Sequence, residues 1–453
     1  MPGNGPVGRV ASVPSASMDP DDAVTVQRRV APDRMPPVAT FESDRLSVSA
    51  RASSPSALPP FPWVGLLTLA GAIFVSVTSE FLPTGLLPEM AAGLGVDVAT
   101  TGLLVSIFAG AVVAATTPLT ALTRRFSRKR LVVLVLAVIA VGNVLAGLAP
   151  NFGVLVGARI LGGAAHGLFW GVVATYPAYL AAGKRLGRAI AITAAGGSAA
   201  FVLGVPVGTA IGHALGWRAA FLVIGGVVLV LALVVIVFLP PVQHRQPLAT
   251  GEIPLPLRED RSMRGVLLLC AAILTLLVGQ NTLSTYVTPW LIGAAHLPRA
   301  SVPMLLFLFG GAGAVGLVLA GVVADRLPRR GLAAMVLTLM ASVLVLALAV
   351  RSTPVEIVAF AVWGAAFGGV PALLQTRMMR TASPRTRDAA GALQTTAFNV
   401  GIGGGALLGS VLLHTVGLGS LPVAVILFFA AGLVLAFAPE LLRFRARRPL
   451  LAD

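Results

Sequence analysis

Apolar runs of about 20 or more residues recur along the chain from Trp63 onward, parted by short polar or basic turns. Twelve such runs cover residues 63–87, 100–122, 131–149, 153–178, 188–212, 218–239, 265–291, 302–323, 332–350, 355–378, 389–413 and 421–441. As helices, each can cross a hydrocarbon core ~30 Å thick. They are continuously apolar and not alternating, which excludes a transmembrane β-barrel. The pattern therefore predicts an all-α integral membrane protein with 12 transmembrane helices.

The segments between the runs divide the chain. Residues 1–60 are rich in Pro, Ser, Arg and Asp, hold no apolar core, and read as a disordered cytoplasmic N-terminal tail. Residues 241–263 are polar and Pro-containing and read as a cytoplasmic linker between two six-helix halves, 61–240 and 264–442, with a short cytoplasmic tail at 443–453. The halves overlay at an offset of 201 residues: "GAAHG" (Gly163–Gly167) falls on "GAAFG" (Gly364–Gly368), and Gly204 and Gly208 fall on Gly405 and Gly409. The same register places "TALTRRFSRKR" (120–130) on "GVVADRLPRRG" (321–331). A Gly-rich apolar chain matches itself easily, but one register held across several helices marks a duplication. Two parallel six-helix halves with a site between them at the membrane midplane is a known transporter plan.

Composition agrees. Only 11% of the 453 residues are charged, mean hydropathy is +0.91, and soluble domains carry roughly 25% charge. A net charge of +16 would suggest nucleic acid in a soluble chain, but its placement points elsewhere. Of the 33 Lys and Arg, 29 lie in the two tails, the linker and alternate loops, against Arg218, Arg299 and Arg351 on the opposite face. By the positive-inside rule both termini are cytoplasmic, and the basic loops orient the chain and meet anionic lipid headgroups. Cys270 is the lone cysteine and lies in a predicted span, which leaves no disulfide and no cysteine metal cluster.

The loop after the second helix of each half resembles the signature of the major facilitator superfamily: Gly, three residues, Asp, a base, one residue, Gly, then further bases. Gly321, Asp325, Arg326, Arg329 and Arg330 match it, with Pro328 at the second Gly; in the first copy Thr120, Arg124 and Ser127 replace Gly, Asp and Gly. "TSEFLPTGLLPEMA" (78–91), "ARILGGAAHGLFWG" (158–171) and "LGVPVGTAIGHALGWRAAF" (203–221) resemble the twelve-span drug:proton antiporter branch, with its bacterial arabinose-efflux and chloramphenicol-efflux members. The resemblance implies the major facilitator fold, proton-coupled export and a gating role for the loop residues Arg124, Arg125, Arg128, Asp325, Arg326 and Arg329. It also associates a Gly-Pro pattern in the fifth helix with antiport; here that helix carries Gly196, Gly204, Pro206 and Gly208, which equally suit close helix packing.

Candidate chemistry is sparse. Glu80 is the one acid of 17 deep inside a predicted span, and an ionisable group there is costly enough to be functional by default. Counting at 1.5 Å per residue sets it about 10 Å below the outer surface, level with Arg159 of the fourth helix. The two are expected to compensate each other, either for proton coupling, as the resemblance implies, or as a structural ion pair. His166 and Trp170 share a face with Arg159 and could pass a proton or stack a ring-bearing substrate; a packed, hydrogen-bonded His is the alternative. Gln280, Asn281, Ser284 and Tyr286 in the seventh helix, with Gln394 and Asn399 in the eleventh, are candidate substrate-lining groups or interhelical bonds. Asn281 falls on Glu80 by the offset.

"AAGKRLG" (181–187) lacks the Ser/Thr and upstream Gly of a P-loop, and no residue spacing suits a metal or a hydrolytic triad. These observations lead to a transporter and not an enzyme, with no cofactor, acting as a monomer in the cell membrane on a small organic substrate. Proton-driven export of a drug or antibiotic such as chloramphenicol is the favoured expectation. Efflux of a sugar or nucleoside is the alternative, and a non-transporting membrane sensor the alternative of another class.

Overall fold

The computed structural model describes residues 61–123, 125–181, 185–242, 260, 262–327, 330–348, 353–383 and 386–446. The expected N-terminal tail, most of the linker, the end of the C-terminal tail, Arg124 and Arg329 lie outside these, as does the Asp325 side chain. Twelve helices are long and apolar enough to span a membrane: α1 (Trp63–Leu94), α2 (Val98–Leu122), α3 (Arg128–Gly147), α4 (Phe152–Leu180), α5 (Leu186–Leu215), α6 (Trp217–Phe238), α7 (Ser262–Ser284), α8 (Arg299–Ala324), α9 (Gly331–Leu348), α10 (Thr353–Thr381), α11 (Ala389–Thr415) and α12 (Ser420–Ala438).

Local chemistry sets the helix ends. Gly95 ends α1 in the left-handed region at φ 66°, a conformation that costs glycine nothing, and its N–H returns to the Ala91 carbonyl. Asp97 then caps α2, its Oδ1 accepting from the Thr100 N–H at 2.7 Å; Asn151 caps α4 by accepting from the Val154 N–H at 3.0 Å.

Prolines place the irregularities. α5 contains one π-helical turn, Ala200–Gly204, directly before Pro206, whose missing N–H leaves a carbonyl one turn back without its helical partner. The apolar run at 265–291 predicts a single helix, but the structure ends α7 at Ser284 and starts a short helix, Val287–Gly293, that contains Pro289. α1 goes the other way: its predicted run stops at 87, yet the helix continues through Pro83 and Pro88 to Leu94.

The duplication is visible in atomic contacts. A Cβ at Gly163 of α4 would strike the Phe108 carbonyl of α2, and 201 residues on, one at Gly364 of α10 would strike the Phe309 carbonyl of α8. Gly167 against the Val112 carbonyl repeats as Gly368 against the Gly313 carbonyl. These glycines let α2–α4 and α8–α10 pack backbone to backbone. Gly196, Gly204, Gly208 and Gly212 likewise seat α5 on Ala70, Thr78, Leu82 and Leu86 of α1.

Two large apolar cores result, beside a small third cluster that joins Leu66, Ala181 and Ala189. One is drawn wholly from residues between Leu69 and Leu239; the other runs from Met263 to Ala436, joined by Leu87 and Val205. Phe81 packs against both. The halves meet where α2 lies on α11 and α5 on α8, the same pairing exchanged by the pseudo-symmetry. This is the two-fold, six-plus-six helical architecture expected from the repeat.

Candidate proton site and the seam between the halves

The site starts from a proline. Pro83 has no N–H to give the Ser79 carbonyl, its partner one turn back in α1. Arg159 of α4 supplies the missing donor: Nη1 donates to the Ser79 carbonyl at 3.0 Å and Nη2 to the Glu80 carbonyl at 2.8 Å. The guanidinium is buried and stacks on the Phe108 ring, 4.1 Å from its centroid. Ser79 is held from the other side, its hydroxyl exchanging bonds with the Asn143 amide of α3 at 2.7 and 3.0 Å.

Arg159 gives Nη1 and Nη2 to backbone carbonyls while its buried Nε has no hydrogen-bond partner, and the Glu80 carboxyl meets another side chain. Arg159 and Glu80 interact electrostatically, as expected, and the Glu80 carboxyl makes its close contact with His166, Oε2 lying 3.1 Å from Nε2 with both side chains buried. His166 Nδ1 lies 2.8 Å from the Ser76 hydroxyl, and the Trp170 indole N–H donates to Nε2 at 2.7 Å. Phe108 leans on the imidazole with ring centroids 5.4 Å apart. Arg159, His166 and Trp170 thus line one face of α4, as their spacing predicts, and close on Ser76 and Glu80 of α1. Because α1 continues to Leu94, Glu80 sits about 21 Å from its end at 1.5 Å per residue and not near the surface. It is a mid-helix residue.

The second half holds a neutral counterpart. Trp363 of α10 donates its indole N–H to Gln280 Oε1 of α7 at 3.0 Å, bridging the pair of helices that corresponds to α4 and α1. Asn281, at the Glu80 position, donates to the Leu277 carbonyl of its own helix at 2.9 Å and packs under Gly405. Asn399 donates to the Thr395 carbonyl at 3.0 Å, Gln394 is buried and Ser284 is half-buried. Of the basic loop residues described, Arg128 is buried at the start of α3, while Arg125 and Arg326 are exposed.

Polar bridges join the halves at the end opposite the basic loops. The Tyr286 hydroxyl lies 3.2 Å from the Ala99 carbonyl of α2 and 2.9 Å from the Ala406 carbonyl of α11; its one proton serves both. Pro88 leaves the Thr84 carbonyl without a helical donor, and the Thr288 hydroxyl takes it at 3.0 Å across the seam. Glu89 Oε1 meets His213 of α5 at 3.3 Å and Arg299 of α8 at 3.5 Å. Asp97 meets His414 of α11 at 3.1 Å. None of Glu89, His213, Asp97 or His414 stood out in the sequence, since each sits near a helix end where polar residues are ordinary; their signal is that they are acids and histidines on the face poor in charge.

Asp97 carries a pH dependence. Partial burial pushes its carboxyl up, but the Thr100 hydroxyl and N–H, with His414 beside it, outweigh this and hold it below the ordinary value. Its contribution is therefore complete above the ordinary carboxylate pKa of ~3.9 and lost as pH falls through the lowered one. Asp97→Ala is expected to cost about 1 kcal/mol, whereas Asp97→Asn keeps the cap and loses only the acid-sensitive part. Thermal unfolding of the three proteins in detergent, from neutral pH down to below the ordinary carboxylate pKa of ~3.9, checks both outcomes.

A groove of about 570 Å³ lies between α9 and α10, lined by Ser342, Val345, Pro354, Val358 and Val362 among others. It is almost wholly apolar and shares no residue with the Glu80 cluster.

The family model described as Major Facilitator Superfamily matches residues 69–406 and 269–452. A probable sugar efflux transporter of Helicobacter pylori (strain G27) is 33% identical over 347 residues, 76% of this chain and 87% of that protein. One of the same description from Helicobacter acinonychis (strain Sheeba) is 31% identical over 346 residues, with the same coverage. Among solved structures, a bacterial homologue of the human lysosomal transporter Spinster, inward-facing and unoccupied, superposes with a TM-score of 0.66 at 16% identity, covering 86% of this chain and 98% of that one. Twelve spans, glycine contacts repeated 201 residues apart and the family match agree: the chain belongs to the Major Facilitator Superfamily of multi-pass membrane transporters, which are not enzymes.

Proposed function

We propose that this protein is a proton-coupled antiporter that exports a small organic molecule from the cytoplasm, working as a monomer in the cell membrane with both termini cytoplasmic. The observation that carries the reading is the buried Glu80–His166 contact, halfway along α1, in a chain whose other half keeps only neutral groups at the matching place. A carboxyl and an imidazole in contact can exchange a proton, and an ionisable pair retained at membrane depth is costly unless it is used. Arg159 supports the site by fixing the α1 backbone on which Glu80 is mounted.

Orientation follows the basic loops, which puts the bridged end outside. The described state is then closed to the outside, and substrate reaches the seam from the cytoplasm. Aromatic groups near that seam, among them Phe81 with Phe201 at 4.8 Å and the half-buried Trp170, suit a moderately hydrophobic, ring-bearing compound such as chloramphenicol. A second reading, sugar efflux, is favoured by the names of the Helicobacter relatives. Gln280 Oε1 accepts from Trp363 and Asn281 Nδ2 donates to the Leu277 carbonyl, so these two atoms lend that reading no support.

Everted vesicles containing the protein and a pH-sensitive dye test the reading. Addition of chloramphenicol to energised vesicles is expected to release protons and load the drug; arabinose as the active compound would transfer the assignment to the sugar reading. Binding of either compound with no proton movement would leave a sensor in place of a transporter.

A further inference from the structure

His166 Nε2 has more neighbours than it has bonding sites. The Trp170 indole nitrogen lies 2.7 Å away and Glu80 Oε2 3.1 Å away, while a ring nitrogen carries either one proton or one lone pair in the ring plane. Indole N–H only donates, so the shorter contact requires an unprotonated Nε2. The ring proton then sits on Nδ1 and donates to the Ser76 hydroxyl, 2.8 Å away. With that lone pair taken, a charged Glu80 carboxylate would face it with nothing between them; a protonated Glu80 shares it as a second donor. The charged groups around the imidazole are Glu80 of α1 and, beyond the Phe108 ring of α2, Arg159 of α4.

We propose that Trp170 is the positioning residue through which substrate reaches the proton: its N–H occupies His166 Nε2 and keeps the proton on Glu80, and substrate that draws the indole away frees Nε2 to receive it. The inference rests on the antiport reading and names the coupling step within it. When the indole leaves, the Glu80 Oε2–H bond breaks and an Nε2–H bond forms, giving a carboxylate and an imidazolium, with no net change in charge. The imidazolium has protons on both nitrogens and passes the one on Nε2 to water entering where the indole stood, returning His166 to neutral and leaving Glu80 as the anion beside Arg159. Trp170 is placed for this. It is half-buried where His166 is buried, it meets the imidazole edge-on with centroids 6.1 Å apart, and its N–H is the one group of the cluster on a side chain with a partly open face.

The test needs no substrate. Infrared spectroscopy of the purified full-length protein in detergent, near neutral pH, reads the carbonyl band of protonated Glu80, identified as the band that Glu80→Gln removes. Trp170→Phe keeps the ring and deletes the donor, and the band is expected to fall at least threefold. Trp170→Leu, which likewise deletes the donor, is expected to act in the same direction and serves if Trp170→Phe does not fold. An unchanged band in a folded variant of either kind overturns the coupling role of Trp170 while leaving antiport standing. Absence of any Glu80 band in the wild-type protein overturns the proposal, and proton release by the wild type in vesicles then decides separately whether the antiport reading survives.

Discussion

Glu80→Gln is expected to abolish pH-driven export while the protein remains folded and still binds its substrate. The amide has the shape of the carboxyl and can donate to His166 Nε2, so the packing around α1 and α4 is kept, and the stability change should stay within about 1 kcal/mol. What disappears is the titratable proton. The other acids inside predicted spans, Glu356 and Glu440, both lie at a span end in the other half, and Glu356 is buried in the first turn of α10. Two measurements separate the outcomes: proton release from energised everted vesicles, which should drop to the level of vesicles lacking the protein, and exchange of labelled substrate at equal concentrations on both sides, which should persist. Full pH-driven transport by the variant would remove Glu80 from the coupling mechanism, and loss of exchange as well would show a role in binding.

The sequence made the fold readable because a bilayer imposes one rule on every span: about 20 apolar residues with satisfied backbone. The repeat register was readable for a related reason. Glycines that permit backbone contact cannot drift, so Gly163 and Gly364 keep their offset and both strike the same carbonyl in their own half, of Phe108 and Phe309. Partners were not readable. That Glu80 and Arg159 belong to one site followed from their cost in lipid, but which atom of each faces the other depends on Pro83, whose effect is to offer a carbonyl in place of a carboxylate. The polar residues of α7 show the same limit. Their types announce that they must be satisfied, and only the fold reveals that Trp363, the Leu277 carbonyl, the Ala406 carbonyl of the same half and the Ala99 carbonyl across the seam do so. The bridges at Glu89 and Asp97 were hidden in plain polar turns.

Arg159→Met is expected to lower stability by about 2–4 kcal/mol, the cost of leaving buried carbonyls without donors in a low-dielectric interior. Methionine fills most of the space but donates nothing, so the Ser79 carbonyl, already without a helical donor because of Pro83, becomes an orphan. This explanation makes a second, sharper demand. Pro83→Ala restores the N–H that α1 lacks, so in the Arg159→Met background it should recover about 1–2 kcal/mol, the worth of one buried hydrogen bond plus relief of the orphan. In the wild-type background the same change gains little, since Arg159 already serves that carbonyl. Thermal midpoints of the four proteins in detergent, read by tryptophan fluorescence, form a double-mutant cycle with an expected coupling of about 1 kcal/mol or more. Transport supplies the contrast: Pro83→Ala does not replace the Arg159 bond to the Glu80 carbonyl, so the double variant should regain stability without regaining proton release. Strict additivity of the two changes would mean that Arg159 is not the partner of the carbonyl that Pro83 exposes, and that its burial serves the Glu80 charge instead.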